Sequence, residues 1–134
     1  MPVVDASVCT ALFSPRELQH VPSRIWFREA RRGDEQVVAP VILLAEVAAA
    51  LGRGLGDAEL VDYAVGILRS RRWVDLFPVT QALATRAAKI AADQKIRGCD
   101  AIYVALAQQL GMELVTLDSD QLDRGAAVIK TRTP

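Results

Sequence analysis

Val3-Val4-Asp5-Ala6-Ser7, near the head of the 134-residue chain, reads as a short apolar strand that runs straight into a carboxylate. A strand with no polar face is expected at the centre of its sheet, covered by helices on both sides. Asp5 then falls at the carboxyl end of that strand, where open α/β sheets place their ligands.

Working outward, Val37-Val38-Ala39, Trp73 to Val79, Glu113 to Thr116 and Ala127 to Lys130 read as further short strands. Helical patterns lie between them. Val8 to Phe13 suits a short helical turn, and Ser14-Pro15-Arg16-Glu17 has the form of a capping box. Pro22 is expected to break the helix that follows, with a second helix from Ser23 to Arg32. Pro40 is expected to open an apolar, buried helix that Gly52 stops, leaving Gly52-Arg53-Gly54-Leu55-Gly56 as a flexible loop. Asp57 and Thr80 suit helix caps, and Asp100 suits the cap of a helix ending at Gly111. Strands alternating with helices predict an α/β domain spanning residues 1–134, with a mostly parallel sheet covered on both faces.

Composition narrows the function. Hydrophobic residues make up 51% of the chain, enough for a sizeable core, yet no apolar run is long enough to span a membrane. The N-terminus shows no secretory pattern, and Cys9 and Cys99 read as reduced thiols, which together predict a cytoplasmic protein. Sixteen basic and 16 acidic side chains cancel, so any nucleic-acid contact must use a local cluster of arginines, with Arg97 a candidate. There is no phosphate-binding glycine loop, no Cys/His zinc spacing and no serine nucleophile motif. His20 is expected at the surface, Cys99 as a small packing residue, and Trp26 and Trp73 in the core or an interface.

Four carboxylates occupy unusual positions. Asp5 and Asp118 each end an apolar strand, Glu46 stands alone in an apolar helix, and Asp100 opens another. Burying an ionised carboxylate without a partner costs several kcal/mol or more, and several together repel. A divalent cation removes that conflict, and hard oxygen donors favour Mg²⁺ or Mn²⁺ over Zn²⁺. Each acid also has a plainer reading, as a turn residue, a helix cap or a solvent-facing position.

In series, Val3 to Val8, Ala39-Pro40 with Leu44-Ala45-Glu46-Val47, Asp100 to Ala107, and Leu114 to Asp118 resemble the PIN-domain ribonucleases, and most nearly the VapC-like toxins of toxin–antitoxin pairs. The resemblance implies a five-stranded parallel sheet of order 3-2-1-4-5 in a three-layer α/β/α domain. It implies an endoribonuclease that uses Mg²⁺ or Mn²⁺ held by Asp5, Glu46, Asp100 and Asp118 to hydrolyse phosphodiester bonds in tRNA, rRNA or mRNA. Ser7 and Thr116 match supporting hydroxyl positions, and Asp120 lies where the family varies and counts as an accessory. It further implies a homodimer inhibited by a cognate antitoxin, with the Trp26-Phe27 helix and the Leu60 to Leu68 helix as candidate partner surfaces. The alternatives are a non-toxin PIN nuclease in RNA processing, a catalytically inactive binding module of the same fold, and a phosphatase of another α/β class. The last lacks its usual Asp-x-Asp start, since Ala6 and Ser7 follow Asp5.

Overall fold

The structure is a computed structural model that describes residues 1–134. Five short strands form one parallel sheet: β1 (Val3–Val4), β2 (Val38–Pro40), β3 (Asp75–Phe77), β4 (Leu114–Val115) and β5 (Thr131–Arg132). Their order is β3-β2-β1-β4-β5, as the resemblance implied. β1 is central and fully buried, and its register pairs Val3 with Leu114 and Val4 with Val115. The chain winds outward from β1 to β3, then returns past β1 to β4. Right-handed crossovers therefore put the helices on opposite faces. On one side pack α1 (Ala6–Phe13), α2 (His20–Arg32), α3 (Leu43–Leu55) and α4 (Ala58–Arg69). On the other pack α5 (Gln81–Gln94), α6 (Gly98–Leu110) and α7 (Ser119–Gly125).

Several helix boundaries differ from the sequence reading, each for a local reason. Pro22 does not break a helix but sits in the first turn of α2, where its missing N–H would have no intrahelical acceptor anyway. The Ser14 to Glu17 stretch caps no helix: Ser14 closes α1, donating its N–H to the Thr10 carbonyl at 2.9 Å, and turns follow. Pro40 ends β2 instead of opening a helix. α3 runs through Gly52 and Gly54 and stops at Gly56, whose φ of +62° is the left-handed conformation that a helix end takes. The half-buried Leu55 packs against the core and holds that last turn helical. α3 is also less buried than an apolar helix predicts. Only Leu43, Val47 and Leu51 are buried, while Ala45 and Ala49 are exposed beside Glu46.

α5 ends at Lys95 with φ +56°, so α6 starts at Gly98 and Arg97 is its cap. Asp100 therefore lies inside the first turn of α6 and is not the cap. The expected strand at Ala127 to Lys130 is displaced to Thr131–Arg132, because the Asp118 region forms α7 first. Packing there is tight: a Cβ at Gly125 would lie 3.3 Å from Cγ2 of Thr131. Trp26 and Phe27 face inward, and His20 is half-buried with Nδ1 2.7 Å from the Ala11 carbonyl oxygen. No helix is long and apolar enough to cross a membrane.

Candidate active site

β1 and β4 deliver Asp5 and Thr116 side by side. The Asp5 N–H donates to the Val115 carbonyl at 3.2 Å, which extends the β1/β4 pairing to the sheet edge. Asp5 then caps α1: Oδ1 accepts the Ser7 N–H at 3.1 Å and the Val8 N–H at 3.4 Å. Its carboxylate is almost wholly enclosed by further donors. Ser7 Oγ donates to Oδ1 at 2.5 Å, while Thr116 Oγ1 and Gln121 Nε2 donate to Oδ2 at 2.7 and 2.9 Å. Ser7 Oγ in turn accepts the Leu117 N–H at 2.9 Å, and Thr116 Oγ1 accepts the Asp118 N–H at 3.0 Å. Two hydroxyls thus stitch the loop after β4 to the residue after β1.

Asp118 caps α7, with Oδ1 accepting the Gln121 N–H at 2.9 Å. Asp100, only 8% exposed, projects from the first turn of α6. Glu46 projects from the first turn of α3 and accepts a hydrogen bond from the Tyr103 hydroxyl, one turn after Asp100 on α6. Arg97 links two of the acids: Nε donates to Asp100 Oδ2 at 2.8 Å and Nη2 to Asp118 Oδ2 at 3.4 Å.

Asp5, Glu46, Asp100 and Asp118 line one cleft of about 560 Å³, together with Ser7, Arg53, Arg97, Cys99 and Gln121. The expected accessory Asp120 is not among its walls; its exposed carboxylate lies 4.0 Å from Arg124. Cys99 is exposed at the cleft rather than packed in the core. Thr116 is fully buried behind it. Sequence reasoning missed Gln121 and Tyr103. Asp118-Ser119-Asp120-Gln121 carries the spacing of a capping box, which was the available signal for α7 and for Gln121.

The electrostatics follow from this crowding. Burial pushes the Asp5 carboxyl up to about 6; the Ser7 and Thr116 hydrogen bonds oppose the rise, and the Asp118 charge adds to it. Burial also raises Glu46, against the Tyr103 hydrogen bond, with the Asp100 charge adding and the Arg97 charge opposing. The Tyr103 hydroxyl is held protonated by burial and by its bond to Glu46.

The donor set fits a hard divalent cation. It offers carboxylate oxygens, and the single histidine lies outside the cleft. The Oε1 atom of buried Gln121 has no hydrogen-bond partner. No three acids stand close enough together to ligate one ion directly. Any ion must therefore be held partly through water or after side-chain movement, as Mg²⁺ commonly is.

The PIN domain family model matches residues 3–127. The chain belongs to the PIN domain family. Solved structures share its fold. Mycobacterium tuberculosis VapC20, described as a sarcin-ricin loop cleaving toxin, superposes with a TM-score of 0.81 at 20% identity over 100% of both chains. A chain of Neisseria gonorrhoeae FitAcB gives 0.70 at 18%, covering 100% of this PIN domain and 98% of that chain. A chain of Rickettsia felis VapBC2, solved with promoter DNA, gives 0.70 at 11%, with 98% and 97% covered. No curated protein matches the sequence.

Proposed function

We propose that this PIN domain is a Mg²⁺- or Mn²⁺-dependent endoribonuclease and the toxin of a toxin–antitoxin pair, working as a homodimer. The observation that carries the reading is the meeting of Asp5, Glu46, Asp100 and Asp118 in one cleft, with Asp5 buried and its charge uncompensated by any direct ion pair. These four acids would hold the ion, directly or through water. When bound, it supplies a water of lowered pKa and offsets charge on the pentavalent phosphorus transition state. The chain's own part is positioning. Ser7, Thr116 and Gln121 fix the Asp5 carboxylate in one orientation, and Tyr103 fixes Glu46.

Purified protein is expected to cut single-stranded or loop RNA with Mn²⁺ or Mg²⁺ and to stop when the metal is chelated. Ribosomal RNA is the first substrate to try, given the description of VapC20. Cleavage that continues in chelator would reject the metal assignment. No cleavage of ribosomal, transfer or messenger RNA would reject the nuclease reading.

Antitoxin docking is assigned to a groove of about 710 Å³ along α2, lined by Leu12, Val21, Ile25, Phe27 and Trp73 and rimmed by Arg24, Arg28, Arg31 and Arg32. Val21 and Ile25, 61% and 40% exposed, replace the inward-facing Trp26 as the contact residues of that helix. The Leu60 to Leu68 face of α4 is largely packed inside: Leu68 is buried and Leu60 half-buried against the core. Ile25→Asp is expected to weaken the antitoxin complex at least about tenfold in a calorimetric titration, the scale of a lost apolar anchor. Equal affinity would move the interface elsewhere.

A further inference from the structure

Arg97 is the one cation in contact with the acid cluster. Its guanidinium reaches two of the four carboxylates, through Nε to Asp100 and Nη2 to Asp118, while its side chain stays 75% exposed. The two acidic side chains it meets, counted without their backbone, are 12% and 26% exposed. Arg97 is the cap residue of α6, yet its side chain makes no capping hydrogen bond. It is free to leave without unmaking the helix. A second arginine, Arg53, lines the same cleft but pairs with no carboxylate.

Resting on the metal reading above, we propose that Arg97 is an internal counter-cation that occupies the ion's place in charge, and that divalent metal enters by displacing it. The guanidinium spreads one positive charge over two acids that would otherwise repel, so the cleft is stable without metal. A divalent ion brings twice the charge and releases Arg97 to the cleft rim. There a mobile guanidinium is well placed for a phosphate of the RNA backbone. Metal loading and substrate capture are then coupled through one side chain.

The test measures Mn²⁺ binding by calorimetry on the protein alone, without RNA. Arg97→Ala is expected to bind Mn²⁺ more tightly than the parent, by roughly threefold to thirtyfold, the range that two partly exposed ion pairs support. Arg53→Ala removes a charge from the same cleft without removing a pair, and is expected to change affinity by less than about twofold. Melting in chelator shows that both variants stay folded. Unchanged or weaker Mn²⁺ binding by Arg97→Ala overturns the inference, as does an equal gain in Arg53→Ala, which would mean only a general field effect. If neither the parent nor Arg97→Ala binds Mn²⁺, the metal reading falls and this inference falls with it. Binding that is equal in the two removes this inference alone.

Discussion

Asp5→Asn is expected to slow RNA cleavage by about three orders of magnitude while leaving a protein that is as stable as the parent, or more so, without metal. The rate loss is on the scale of removing one preorganised group that stabilises transition-state charge. The stability gain comes from the sign of the Asp5 shift. Its folded pKa, about 6, lies above the ordinary value of 3.8 because burial penalises the charged form. The folded state therefore holds more protons than the unfolded state between those values, and stability falls as pH rises through the window. The penalty is absent below about pH 4, complete above about pH 6, and amounts to about 3 kcal/mol for a shift of this size.

Asparagine keeps the shape and carries no charge. Its new N–H group would face two donors, Gln121 Nε2 and the Thr116 hydroxyl; a turn of the Gln121 amide brings Oε1 to it and leaves Nε2 in the place Oε1 held, and the Thr116 hydroxyl turns to accept. In chelator at pH 7 the variant should melt roughly 9–15 °C above the parent, and the difference should vanish near pH 4. Equal activity of the two proteins would remove Asp5 from the machinery. A variant that melts lower at pH 7 would show that the charge is not the cost inferred here. A site that is more stable without its acid is the expected mark of function set against stability.

The sheet and the acids were legible in the sequence for different reasons. The strands were readable because Val3-Val4 and Leu114-Val115 are buried on both faces and so carry no polar alternation. The acids stood out because they interrupt those apolar runs. What the sequence concealed is local competition. Gly52 looks like a helix stop, but nothing crowds it, and the helix continues until Leu55 is anchored and Gly56 turns left-handed. Pro22 looks like a breaker, but a first-turn proline loses nothing. Arg97 stood out in the sequence only as a candidate nucleic-acid contact, not as a partner of the acids. That its side chain folds back on Asp100 and Asp118 depends on where α5 ends, and Lys95 ends it by adopting a positive φ that glycine usually supplies.

Thr116→Val tests whether the hydroxyl between β4 and α7 serves the chemistry or merely fills space. Valine keeps the volume and branching of threonine, so the fully buried position stays packed. The hydroxyl, however, does two jobs: it donates to Asp5 Oδ2 at 2.7 Å and accepts the Asp118 N–H at 3.0 Å. Its removal leaves one carboxylate short of a donor and one N–H short of an acceptor, at a cost of about 1–3 kcal/mol for the unsatisfied group. Asp5 also loses a hydrogen bond that opposes the upward pull of burial, so its pKa should climb further. Cleavage with saturating Mn²⁺ should fall by about 10–100-fold, the usual scale for removing a partner that orients a metal-site carboxylate. Thr116→Ser retains the hydroxyl and loses only a methyl group, and should keep most of the activity despite a small loss of packing. If valine and serine behave alike in rate, the hydroxyl has no part in holding Asp5. If valine lowers stability in urea but leaves the rate intact, Thr116 secures the loop and not the site.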